Sequence, residues 1–148
     1  MSQPHSSPAR RVVLCEVGDD VLDVAAHQAA VAGAGAGAVV AFSGVVRAHD
    51  HGVGVAFIEY VAHPSAARVL AEVAADVAAG SDAEALAVSH RLGRLDVGDA
   101  ALVVAVSGVH RQETFATAAL LVDEVKHRLP VWKRQVFTRG GEEWVSCP

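Results

Sequence analysis

The sequence predicts an α+β fold: a mixed, largely antiparallel sheet with about three helices in a single domain. Two observations carry this. Strand-like and helix-like runs follow one another without the regular strand-helix alternation of a doubly wound fold. The 148-residue chain is 52% hydrophobic and shows neither an internal repeat nor a compositional break, which suits one core. Residues 11–148 are expected to form that domain. Residues 1–10, MSQPHSSPAR, read as a flexible tail, because they hold no apolar stretch of the kind a secretory signal needs.

The elements follow in order. Arg11 to Val17 is a β-rich run, and Gly18-Asp19-Asp20 after it offers carboxylates to cap a helix from about Val21 to Ala32. Gly33 to Gly37 reads as a flexible connector. Val39 to Val46, β-branched and nearly all apolar, reads as a strand covered on both faces. Arg47 to Gly54 suits a hairpin or mobile loop before a strand at Val55 to Val61. Pro64 fits the first turn of a helix whose Ala66, Val69, Leu70, Val73, Ala74 and Val77 repeat at three-and-four spacing until Gly80. Leu86, Val88 and His90 alternate as in a strand. Asp96 to Asp99 then turns into a strand at Ala101 to Ser107. A helix from about Gln112 to Arg128, with Phe115, Ala118, Ala119, Val122 and Val125 as its apolar stripe, stops at Pro130. Val131 to Phe137 and Glu143 to Val145 read as closing strands.

Composition excludes several classes of function. A net charge of −5 argues against whole-surface attraction for nucleic acid or an anionic membrane, so neither partner is expected and any anion site must be local. The uncharged run from Gln28 to Val46 is long, but its Gly-Ala centre gives too little transfer energy to hold a helix in lipid. Cys15 and Cys147 have no CxxC spacing and are too few for a disulfide framework, which favours a reducing, cytoplasmic location. Cys15 reads as a small core residue. His49-Asp50-His51 lacks the thiolate or carboxylate cluster that would complete a metal site, and no metal is expected. There is no GxSxG elbow, Walker pattern or GxGxxG.

The charged residues are more informative. The chain has ten arginines but only two lysines, and both fall in Lys126-His-Arg-Leu-Pro-Val-Trp-Lys133. A group that must give up a proton or act as a nucleophile has to be lysine, since guanidinium stays charged at accessible pH. Eleven steps at about 100° per residue return Lys126 to within about 20° of Phe115, on the expected apolar stripe. There its ammonium either reaches a polar cavity or is desolvated, while His127 and Arg128 point away. Lys133 follows the rigid Pro130, Arg47 ends the strand that contains Gly44, and His110-Arg111 lies where a strand gives way to a helix N-terminus. Cations at three strand ends suggest a pocket for a phosphorylated or carboxylated ligand.

These segments carry a resemblance. AVVAFSGVVR at 38–47, SHRLGRLDVGDAALVVAVSGVHR at 89–111, VKHRLPVWKR at 125–134 and EEWV at 142–145 resemble, in order and over nearly the whole chain after the tail, the large catalytic subunits of molybdopterin synthase. The resemblance implies an α/β hammerhead fold and a sulfurtransferase of molybdenum cofactor biosynthesis with no cofactor of its own. Cyclic pyranopterin monophosphate (precursor Z) would become molybdopterin by gaining two sulfurs. These would come from the C-terminal Gly-Gly thiocarboxylate of a small ubiquitin-like partner, within a heterotetramer built on a homodimer of the large subunit. It also implies that Lys126 and Lys133 are catalytic, that Arg47, His110 and Arg111 anchor phosphate and pterin, and that Val45 and Val46 line the substrate through backbone. Arg134 and Gln135 complete the binding set, and because the family's pocket is assembled near the dimer interface, His110 and Arg111 would serve either their own site or the neighbouring subunit's. The chain departs from the pattern at Gln135, where many members carry glutamate, so a catalytic base is not expected there. The alternatives are a non-catalytic anion- and partner-binding scaffold of the same fold, or a stand-alone hydrolase that needs no partner.

Overall fold

Local patterning builds most of the elements, and long-range strand pairing decides how they are shared between sheets. The computed structural model describes residues 11–146, so the expected tail and Cys147 lie outside the described residues. In chain order the elements are β1 (Val12–Gly18), α1 (Val24–Val31), β2 (Ala38–Val45), β3 (His49–Asp50), β4 (Val53–Ala62) and α2 (Ala66–Ala79), then β5 (Ala85–Arg91), β6 (Gly93–Asp96), β7 (Ala100–Gly108), α3 (Arg111–Arg128), β8 (Val131–Phe137) and β9 (Glu142–Ser146).

The strands form two sheets where one was expected. The first runs β1-β5-β7-β2, with β1 and β5 parallel and the other pairs antiparallel. The second runs β3-β4-β8-β9 and is antiparallel throughout, with β6 also paired to β4. The fold is α+β with three helices among the described residues.

Leu70, Val73 and Leu121 are sealed from solvent and pack with the buried side chains of β5 and β7, forming the main core beneath α2 and α3. Half-buried Cys15 packs at its edge, as its small apolar side chain suggested. On the other face of this sheet, Val31 of α1 packs against Ala87 and Ala105. The buried His27 ties that helix down: its Nδ1–H donates to the Asp23 carbonyl at 2.6 Å, and its Nε2 accepts from Ser89 Oγ at 2.7 Å. A smaller core of Val46, Val55, Ile58, Leu95 and Ala101 joins the two sheets. Leu70→Ala is expected to cost about 2–5 kcal/mol, measured as a lowered urea midpoint, because its site is fully enclosed.

Four local expectations need correction. The cap of α1 is Asp23, whose side chain accepts from the Ala26 amide at 3.2 Å, so the helix starts later than Val21 and Asp19 and Asp20 do not cap it. β2 is an edge strand, with Val39 44% and Val45 51% exposed, and is not covered on both faces. The glycine run is more than a flexible connector at its end. Gly37 donates to the Gly108 carbonyl at 2.9 Å, and a Cβ there would lie 2.5 Å from the Val109 carbonyl oxygen. Finally, the buried face of α3 is Thr114, Thr117, Ala118, Leu121 and Val125, while Phe115 is 61% exposed. Thr114 can be buried because its hydroxyl donates to the His110 carbonyl at 2.7 Å. Among the described residues no helix is long and apolar enough to cross a membrane.

Candidate functional site

A cavity of about 310 Å³ opens where the two sheets and the C-terminal end of α3 converge. A bulge brings β2 to it. Between Gly44 and Val45 the register against β7 shifts, and Val46 then bonds across the Asp96–Asp99 turn, its amide donating to the Asp99 carbonyl at 3.0 Å. Val46 is thereby turned into the small core, and the exposed Arg47 reaches the cavity mouth.

The other walls come from the turn between α3 and β8. Val125, Lys126 and Leu129 leave the helix along the cavity, and β8 returns with Val131, Lys133 and Gln135 on the same wall. Strand alternation explains this set, since residues two apart share a face. Lys126 does lie near Phe115 in angle, but that flank faces the β2 edge, so Lys126 is exposed and reaches the cavity with no burial in the core. His127 and Arg128 are exposed as expected, and Arg128 pairs with Asp76 at 2.9 Å.

The structure therefore brings Val45, Val46, Arg47, Lys126, Lys133 and Gln135 together, but not Arg134, His110 or Arg111. Arg134 occupies the opposite face of β8, where Nε donates to Glu59 at 3.4 Å and Nη1 to Glu142 at 2.6 Å. His110 and Arg111 sit at the far end of the first sheet. Antiparallel pairing sets the end of β2 against the start of β7, so Arg47 and the end of β7 are separated by about 25 Å of strand. The rise of α3 puts Arg111 roughly 22 Å from Lys126.

Among the lining residues that sequence reasoning did not assign to the site are Asp50, Tyr60 and His90. His90 is buried, and its Nδ1–H donates to the Arg91 carbonyl at 2.9 Å, which leaves Nε2 as the acceptor. Its ring meets Tyr60 edge-on, with centroids 5.0 Å apart. Burial, joined by the nearby charge of Lys126, pushes the imidazole pKa down to about 4 against the opposing effect of the backbone hydrogen bond, so His90 is neutral near pH 7. The signal available was a histidine in a strand that opens with four apolar residues, Ala85 to Val88. Asp50 comes from the β3–β4 hairpin, whose two-residue turn has His51 at φ 49° and Gly52 at φ 80°. Its carboxylate accepts from Gln135 Nε2 at 2.9 Å.

Among the described residues, three cations, Arg47, Lys126 and Lys133, thus face one carboxylate in an open-mouthed cavity large enough for a small ligand. Such a cavity selects an anion and can stabilise negative charge that develops during reaction. Among the described residues no group of three or more His, Cys, Asp or Glu could hold a metal, His49-Asp50-His51 included.

Comparisons with known proteins agree with one another. The family model described as MoaE protein matches residues 17–128. The molybdopterin synthase catalytic subunit of Nostoc sp. (strain PCC 7120) is 40% identical over 112 residues, covering 74% of this chain and 68% of that protein. Catalytic subunit 1 of Mycobacterium tuberculosis is 36% identical over 133 residues, covering 89% of this chain and 90% of its own length. The crystal structure of molybdopterin synthase from Staphylococcus aureus is similar with a TM-score of 0.82 and 26% identity, covering 88% of this chain and 96% of that one.

Proposed function

As a member of the MoaE protein family, with molybdopterin synthase catalytic subunits among its relatives, the chain is an enzyme subunit, and we propose that it converts cyclic pyranopterin monophosphate to molybdopterin. The two sulfurs arrive on the C-terminal thiocarboxylate of a small ubiquitin-like partner with a Gly-Gly tail. The observation that carries this reading is the cavity that gathers Arg47, Lys126 and Lys133 in a chain of net charge −5. A cyclic phosphate and a thiocarboxylate repel each other, and a cationic cavity removes that obstacle to their meeting.

Roles follow from position. Arg47, exposed at the mouth, meets the phosphate first, with Val45 and Val46 lining the path. Lys126, on a helix end, protonates or activates the groups that change during sulfur attack, and Lys133 on the facing strand stabilises charge and relays protons. Gln135 binds by hydrogen bonding, and Arg134 steadies the back of β8 through its two carboxylates. His110 and Arg111 lie too far away to serve their own cavity, which supports a homodimer in which they serve the neighbouring protomer's. Residues 11–148 act as one domain in a reducing cytoplasm.

The test is conversion of cyclic pyranopterin monophosphate by the purified protein with and without the thiocarboxylated small subunit. Dithiolene formation that requires the partner is expected. Binding of the partner without dithiolene would make the protein a scaffold, and turnover of the substrate without any partner would make it a hydrolase.

A further inference from the structure

Among the described residues lining the cavity, a single carboxylate, that of Asp50, stands against the cations. Gln135 brings a neutral amide to the cavity wall, buried on β8 with only 3% of its surface exposed. A neutral amide alone would leave the three cations without a balancing charge. Among the described residues, Asp50 is the one acid lining the cavity, and it reaches Gln135 from a different element, the β3–β4 hairpin.

The contact has a defined polarity. A carboxylate only accepts hydrogen bonds, so the Gln135 amide must turn its NH₂ toward Asp50 Oδ2, at 2.9 Å. The other oxygen, Oδ1, faces Arg47 Nη2 and His51 Nε2, each at 3.6 Å. One oxygen is thus anchored on a buried amide while the other faces the Arg47 guanidinium and the His51 ring at the mouth. The hydrogen bond from Gln135 holds the Asp50 carboxyl below its usual range against a smaller opposing desolvation, helped in turn by the charges of His51, Lys133 and Arg47. Asp50 is therefore ionised at neutral pH.

The hairpin makes this placement specific. Pairing of His49 with Gly54 and Asp50 with Val53 leaves a two-residue turn, and the Val55 amide donating to the Ala48 carbonyl at 2.7 Å continues the hairpin. A slip of one residue would carry Asp50 to the opposite face.

We propose that Asp50, held in place by Gln135, is a positioning residue of the reaction, supplying from the β3–β4 hairpin the negative charge that orients Arg47 beside the lysine-lined wall of the cavity. The proposal rests on the sulfur-transfer reading given above. Its distinguishing consequence is reciprocity: the carboxylate can sit on either partner of the Asp50–Gln135 pair, but one must carry it.

Steady-state conversion of cyclic pyranopterin monophosphate, with saturating thiocarboxylated small subunit, tests this on four proteins: wild type, Asp50→Asn, Gln135→Glu and the double variant. Asp50→Asn is expected to lower kcat about 10- to 100-fold, the scale of a misplaced catalytic group, without raising KM, because a more positive cavity still attracts the phosphate. Asp50→Asn/Gln135→Glu is expected to recover kcat to within about threefold of wild type. Gln135→Glu alone sets two carboxylates against each other and is expected to raise KM. Full activity in Asp50→Asn, or a double variant no better than that single one, would overturn the assignment. So would a rise in KM with unchanged kcat in Asp50→Asn. An inactive wild type would overturn the sulfur-transfer reading itself and this assignment with it, whereas an active wild type with an equally active Asp50→Asn overturns the assignment alone.

Discussion

Lys126→Ala is expected to lower partner-dependent dithiolene formation by about 100-fold or more, the scale lost when a positioned proton-transfer group is removed. Lys126→Arg should not restore the rate, because guanidinium keeps the charge but cannot release the proton. The fold should be indifferent to either change. Lys126 is exposed at the end of α3, and the packing there is carried by Val125 and Leu129, so melting temperatures should stay within about 2 °C of wild type. Single-turnover kinetics with pre-bound thiocarboxylated partner separate loss of chemistry from loss of binding. A variant with wild-type turnover would move the catalytic role to Lys133, while a Lys126→Arg protein as active as wild type would reduce the role to charge alone.

Acid is expected to destabilise the protein through His90 before the carboxylates titrate fully. The folded imidazole has a pKa near 4, against about 6.5 in the unfolded chain, so between these values the unfolded state binds more protons. The stability contributed by keeping His90 neutral is fully present above pH 6.5 and is lost as pH falls toward 4. For a side chain this buried the loss amounts to about 3 kcal/mol across the window. Urea unfolding at pH 7, 5.5 and 4.5 should show that slope in wild type and a shallower one in His90→Gln. Equal slopes in the two proteins, or an imidazole that titrates near 6.5 by NMR, would refute it.

Legibility divided along physical lines. The α2 stripe from Ala66 to Val77 was readable because its burial is periodic and local, and β8 because Pro130 marks its start. The partition into two sheets was not readable, since it depends on which distant strands pair. β6 escaped because a four-residue strand of mixed polarity carries no pattern of its own. The stripe of α3 was misread at Phe115 because two threonines, one bonded back to its own helix, take the buried positions that apolar residues normally hold. In the site, Lys126 and Lys133 stood out by the scarcity of lysine. Arg134 could have been separated from them by alternation along β8. Asp50 and His90 enter the cavity through a hairpin and a central strand remote in sequence, and only tertiary pairing shows it.

The link from Lys126 to Lys133 acts as a molecular ruler. The first lysine is placed by helical angle and the second by strand parity, with only Leu129 and Pro130 between the two elements. One residue inserted in α3 after Lys126 would rotate its ammonium by about 100° relative to the helix that follows. One inserted at the start of β8, with pairing to β4 kept from Trp132 back, would send Lys133 to the outer face. The segment before Gly37 carries no such constraint, and neither does the turn at Gly140-Gly141. Changes in chain length that preserve activity should therefore accumulate in those connections and be purged from residues 126–133.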